Sequence, residues 1–331
     1  MTTMHRRHFL RNTATAALAA GTGCALFSGE KNMATSLPIV DTHQHLWDLE
    51  RFSPPWLADA PEVLSRSYVT KDYLEASKDL NVTRAVYMEG DVSTDDQSDE
   101  ATHVIGLSQS KDHPTAAAVI SGRPASATFE PYIRRFAESP YIKGVRQVLQ
   151  VPEARRGLCM DPQFVRSIQL LGELGLSFDL CMRPRELADG LSLVSRCPET
   201  RFIVDHCGNA DPKAFRSPST PGSEEPWHEP DPWRRDMAAL AAKENVVCKI
   251  SGIIARAPKE DWTSDDLAPI INHCLDAFGP DRVVFGSDWP VCNLVASYTA
   301  WAKALGEVIS DRPIREQEKL LADNATRLYR L

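Results

Sequence analysis

Eight short runs of apolar and β-branched residues, with helical segments between them, constrain this chain more than any other feature. They cover residues 37–41, 84–89, 116–121, 142–150, 176–182, 201–205, 246–251 and 282–287. A strand covered on both faces reads as a near-continuous apolar run, which is the pattern of a parallel sheet. Between the runs, residues 68–80, 129–139, 164–174, 185–194, 233–243 and 267–278 carry apolar residues at helical spacing. Several of these segments close on Gly or Asn, as at Leu174-Gly175 and Glu244-Asn245. Strand and helix alternating eight times predict an α/β fold, a (β/α)8 TIM barrel, as a single domain over residues 36–331. An open doubly wound sheet competes, but no G-x-G-x-x-G follows the first run.

Residues 1–30 stand apart. A paired-arginine stretch, His5-Arg6-Arg7-His8-Phe9-Leu10-Arg11, precedes a mildly apolar run rich in Ala, Gly and Thr. That is the look of a twin-arginine signal segment, so the mature domain is expected to be exported and periplasmic. The run is too short to span a bilayer, and stable membrane insertion is not expected. Cys24 is a minor candidate for lipid attachment. Eight cysteines are scattered without a C-x-x-C pair, which argues against a thiolate zinc site and for buried free thiols. A net charge of −8, with no basic stripe, excludes nucleic acid as a partner and leaves a small molecule.

The chemistry gathers at the ends of strands. In Val40-Asp41-Thr42-His43-Gln44-His45 the two histidines are two residues apart, a spacing that puts both on one side of a strand. His206 follows the sixth run, in Ile203-Val204-Asp205-His206-Cys207-Gly208. Asp288 follows the eighth, in Phe285-Gly286-Ser287-Asp288-Trp289-Pro290. Polar residues at the carboxyl ends of barrel strands share one mouth, so these four side chains are expected to converge. The long segment 208–231, proline-rich and carrying Trp227 and His228, should border that mouth.

These blocks, together with Cys248-Lys249-Ile250-Ser251-Gly252, resemble the amidohydrolase superfamily, amidohydrolase-2 type. The likeness is nearer to its lactonase branch, which holds sugar-acid lactonases and 2-pyrone-4,6-dicarboxylate lactonase. It runs from about Pro38 to Asn324-Ala325-Thr326-Arg327-Leu328-Tyr329. Members with two metals carry a carboxylated lysine on strand four and a histidine on strand five. Here Lys143 sits at the start of its run, Arg146 lies further along, and Ser177-Phe178-Asp179-Leu180-Cys181-Met182 has no histidine. The resemblance therefore implies at most one divalent metal, most naturally zinc, held by His43, His45 and Asp288; a metal-free mechanism also fits.

The reaction expected is the opening of a small sugar-acid or dicarboxylate lactone. An alkoxide leaves more readily than an amine, so the reaction asks less of such a site than amide hydrolysis. Asp288 is the expected general base, and His43, His45 and His206 steady the oxyanion. Glu89, Arg146, Lys249 and Trp47 are expected substrate contacts, with Trp56, Trp227 and Trp289 as further walls. His103, His113 and His273 read as surface residues. Two other functions stay open: a metal-dependent decarboxylase, which usually keeps the strand-five histidine, and a non-catalytic periplasmic sugar-binding barrel.

Overall fold

A computed structural model describes residues 36–52, 54–216 and 225–331. The expected signal segment, Cys24 and part of the 208–231 segment lie outside the described residues. The eight strands are β1 (Ile39–Gln44), β2 (Val82–Met88), β3 (Thr115–Ser121), β4 (Ile142–Val148), β5 (Ser177–Cys181), β6 (Arg201–Val204), β7 (Val246–Ile250) and β8 (Val283–Phe285). Each pairs in parallel with its successor. Beyond β8 the chain meets β1: Asp288 N donates to His43 O at 2.9 Å, and His45 N donates to Trp289 O at 2.8 Å. The fold is the (β/α)8 barrel.

Eight helices cover the strands: Thr70–Ser77, Gln97–Gln109, Phe129–Ala137, Pro162–Glu173, Leu187–Arg196, Pro230–Ala241, Ser264–Phe278 and Tyr298–Val308. Local chemistry sets their ends. Pro162 and Pro230 occupy first-turn positions where a missing N–H costs nothing, and Thr263 with Asp266 forms a capping box. The last strand is shorter than its apolar run, and the chain turns beyond it at Asp288, whose φ is +56°.

Two apolar layers result. Ala85, Tyr87, Ala118, Ile120, Phe178, Phe202 and Cys248 pack outward against the helices. Val40, Val86, Met88, Val119, Ile203, Val247 and Val284 fill the barrel, with Leu328 and Tyr329 of the helix Asn324–Tyr329 packed against them. All seven cysteines among the described residues are buried and free. The sulfurs of Cys207, Cys248 and Cys274 lie within 4.8 Å of one another, a convergence their sequence spacing did not disclose.

β1 carries an irregularity on which the site depends. Val40 pairs with Arg84, Asp41 with Ala85, and Gln44 with Tyr87, so β1 advances three residues while β2 advances two. One extra residue reverses which positions face inward. Val40 faces the barrel with Val86, whereas Gln44 shares the outward parity of Tyr87; His43 and His45 are thereby turned inside. A strictly alternating strand with Val40 inside would have pointed both histidines at the helices.

Candidate active site

His43, His45, His206 and Asp288 meet at one mouth of the barrel. The rings of His43 and His206 are 4.5 Å apart between centroids, and those of His43 and His45 are 4.9 Å apart. His43 Nε2 lies 3.2 Å from His45 Nε2, and each is 3.5 Å from Asp288 Oδ1. A cavity of about 330 Å3 opens above them, lined by His45, His206 and Asp288 together with Trp47, Trp56 and Arg256. His43 is fully buried underneath.

The backbone is forced to bring them there. His206, Cys207, Gly208 and Asn209 all have φ between +52° and +68°, a left-handed turn that is unfavourable for three non-glycine residues in a row of four. Asp288 shares that conformation at +56°. Such strain persists where surrounding structure over-determines it, and that is typically at working sites. Gly252 approaches so closely that a Cβ there would sit 2.2 Å from His206 Nδ1, and Gly252 itself has φ +67°. Gly252→Ala should therefore displace the imidazole. The expected result is a drop in kcat/KM of about 10–100-fold, because misplacement by ~1 Å at a reacting group costs that much. Steady-state kinetics beside a melting curve checks it; unchanged turnover would remove His206 from the reaction.

Hydrogen bonds select the tautomers. His45 Nδ1 donates to Met88 O at 3.0 Å, which turns the Nε2 lone pair towards His43 and Asp288. His206 Nδ1 lies 2.9 Å from Ser251 Oγ. His43 is flanked by two cations, Lys249 Nζ 3.3 Å from Nδ1 and Arg146 Nη1 3.2 Å from Nε2. A neutral ring can accept at one nitrogen. It can therefore answer only one of the two cations with a lone pair, while Asp205 Oδ1 stands 3.6 Å from Nδ1 as an electrostatic contact. Burial, then the Lys249 charge, hold the His43 pKa well below the usual histidine range, so the ring is neutral. Burial also lowers His206, against the pull of Asp288.

Asp288 behaves differently from a carboxyl that burial alone would control. Burial pushes its pKa up, but His206, His45 and His43 outweigh it and hold the group well below the ordinary carboxylate range. It is ionised at every working pH. That makes it available as a proton acceptor and as an anionic ligand, and weak in the first role.

The expected substrate contacts divide. Arg146 and Trp47 line the cavity. Trp47 nevertheless gives its indole N–H to Arg66 O at 2.7 Å and presents ring carbon to the cavity. Arg146 donates from Nε to Glu89 Oε1 at 2.6 Å and from Nη2 to Glu89 O at 2.8 Å. Glu89 is fully buried in that pair rather than poised over the cavity. Lys249, also expected at the substrate, is 0% exposed between Asp179 Oδ2 at 2.8 Å and Asp205 Oδ1 at 2.9 Å. Its contact with Asp205 is an ion pair without hydrogen-bond alignment, since neither Asp205 oxygen has a hydrogen-bond partner among the described residues. A lysine among apolar neighbours in a barrel strand needs buried carboxylates, and Asp179 in the middle of β5 and Asp205 just after β6 supply them. The signal was present: Asp179 is the one charged residue in an apolar run.

Other placements differ from expectation. Trp289 is buried against Tyr68 and Tyr73, with ring centroids 5.2 and 5.4 Å away. His103, His113 and His273 are partly buried rather than on the surface, and His273 Nε2 sits 3.1 Å from Arg234 O. Asp41 had no assigned role, yet Oδ1 accepts from His43 N at 3.1 Å and Ser287 N at 2.8 Å, while Oδ2 accepts from Tyr73 Oη at 2.8 Å. It pins the seam on which His43 and Asp288 both stand.

A family model described as Amidohydrolase matches residues 40–331. The chain belongs to the amidohydrolase family. This amidohydrolase is 29% identical over 302 residues to an L-fucono-1,5-lactonase of Burkholderia multivorans, covering 88% of this chain and 96% of that one. A crystal structure of an amidohydrolase from Burkholderia multivorans with bound Zn superposes with a TM-score of 0.74 at 26% identity, covering 88% of this chain and 99% of the other. A probable 2-pyrone-4,6-dicarboxylic acid hydrolase from Acinetobacter baumannii shares the fold, with a TM-score of 0.68 at 18% identity and the same coverage. The amidohydrolase is thus a hydrolase of that superfamily, related to sugar lactonases.

The donor set in this amidohydrolase suits a divalent ion. Two imidazole nitrogens and one carboxylate oxygen, 3.2–3.5 Å apart, have the spacing of ligands about 2 Å from a common ion. No helix among the described residues is long and apolar enough to cross a membrane.

Proposed function

We propose that this protein hydrolyses the ester bond of a small lactone, with Asp288 as the proton acceptor. The observation that carries the reading is the meeting of an ionised Asp288 with three imidazoles on a cavity of about 330 Å3, a size suited to a small ring. Relatives acting on sugar lactones support the choice of substrate. Asp288 receives a proton from water as the water oxygen attacks the carbonyl carbon. With Ser251 Oγ donating to His206 Nδ1, His206 Nε2–H is directed at the cavity and donates to the oxygen that gains charge. Collapse of the tetrahedral species breaks the ring C–O bond, and the proton held by Asp288 goes to the alkoxide, leaving a hydroxy acid.

His43, His45 and Asp288 would hold a divalent ion such as zinc, which supplies Lewis-acid polarisation of the carbonyl. The test is a panel of five- and six-membered sugar lactones, followed by acid release and product identification. Elemental analysis and a chelator arm on the same preparation report whether metal takes part. Ring-opened hydroxy acid is the expected product; no opening of any lactone beside carbon dioxide release from aromatic acids would sink the reading.

A further inference from the structure

We propose that Arg256 anchors an ionised carboxylate of the substrate, so that the ring opened at Asp288 belongs to an acid-bearing lactone. The ring chemistry rests on the lactonase reading above; the acid rests on the cavity alone.

Three cations stand in or under the site, and two are already matched. Lys249 is held by Asp179 and Asp205, and Arg146 by Glu89. Arg256 lines the cavity and, among the described residues, has no carboxylate within ion-pair distance. Its Nη2 donates to Gln150 Oε1 at 3.3 Å, and its guanidinium lies 3.8 Å from the centroid of the Trp227 ring. The nearby Asp211 is engaged elsewhere: Oδ1 accepts from Lys213 N at 3.0 Å, Oδ2 from Trp227 N at 3.3 Å. Burial draws the Arg256 pKa down from its usual value, against Asp211, Cys181 and Asp288. A partly desolvated guanidinium gains most from an anion, and stacking on an aromatic ring pre-organises its fork for a carboxylate.

The surroundings give the cavity a direction. Gln150, which lines the main cavity, also borders an adjoining cavity of about 400 Å3 whose other walls include Trp227, Arg183 and Arg185. Arg183 is paired with Glu186 at 3.0 Å, while Arg185 is exposed and has no ion pair among the described residues. Elsewhere the main cavity is lined by Asp91, which is already paired with Arg123 at 3.0 Å, so that end offers no unmatched cation to a carboxylate among the described residues. An acidic arm therefore lies towards Arg256, and an uncharged hydroxylated end lies towards Trp56 and Asp91.

The experiment compares matched 1,4-lactones that differ at one carbon: glucaric against gluconic, and galactaric against galactonic. The native protein should favour the acid member of a pair by about 10–100-fold in kcat/KM, chiefly through KM, as a charge-assisted fork contact implies. Arg256→Gln should bring that ratio to within about twofold of one. Arg256→Lys, which keeps the charge and loses the fork, should retain a smaller preference and guards against misfolding of the first variant. Equal turnover of both members by the native protein, or a preference surviving in Arg256→Gln, overturns the anchor and leaves the lactonase reading standing. Calorimetry with open-chain glucarate and gluconate separates the two claims. Glucarate binding that Arg256→Gln abolishes upholds the anchor even where no lactone is opened. A 6-phosphogluconolactone preferred over the glucaric lactone overturns the carboxylate in favour of phosphate.

Discussion

Asp288→Asn should lower kcat/KM for lactone opening by about 1,000-fold, some 4 kcal/mol of transition-state stabilisation, while the barrel stays folded. The amide keeps the size of the side chain and leaves the seam intact, because it is the backbone N of Asp288 that donates to His43 O. What is lost is the anion. Its oxygen lies 3.5 Å from both His43 Nε2 and His45 Nε2, so the change removes a proton acceptor and one of three donors suited to a metal. Kinetics, a melting curve and metal content on the same preparation separate these consequences. A variant turning over at near-native rates would end the assignment of Asp288 as base.

Lys249→Met should cost about 3–5 kcal/mol of stability, the usual penalty for breaking a buried ion pair from one side. Lys249, Asp179 and Asp205 are all 0% exposed, and without the ammonium two carboxylates face each other inside the barrel. The loss should depend on pH. Burial and then Asp205 push Asp179 up to about 7 against the pull of Lys249. Its folded value exceeds its unfolded one, so its protonated form favours folding at low pH and that contribution disappears as pH rises through 7. Removing Lys249 moves Asp179 further up. The variant should therefore melt closer to the native protein at pH 5.5 than at pH 8. Equal losses at both pH values would show that the carboxylates do not depend on Lys249. The charge beneath His43 disappears as well, so the imidazole should protonate more readily and turnover should fall with stability.

Strand-end chemistry was readable because barrel topology leaves few choices. Once strands one, six and eight were located by their apolar runs, His43, His206 and Asp288 had to reach the same rim. Partners within the barrel were not readable in the same way. Arg146, Glu89, Lys249, Asp179 and Asp205 lie on different strands, and ion pairs between strands follow the stagger of the sheet, which no local pattern encodes. Lys249 and Glu89 looked like substrate contacts because charge in an apolar strand demands a partner, and the chain order does not say whether that partner is substrate or protein. Arg256 was passed over for the opposite reason: it stands in a turn after β7, where an arginine is unremarkable until its neighbours are known.

The linear order of residues alone determined that this chain closes eight parallel strands into a barrel and that three histidines and an aspartate crown it, because burial on both faces writes itself into local composition. Tertiary structure alone decided which way β1 faces. One additional residue between Asp41 and Gln44, visible in the pairing with β2, turns His43 and His45 inward. Alternation along a strand specifies that two residues share a side, and pairing with a neighbour specifies which side that is.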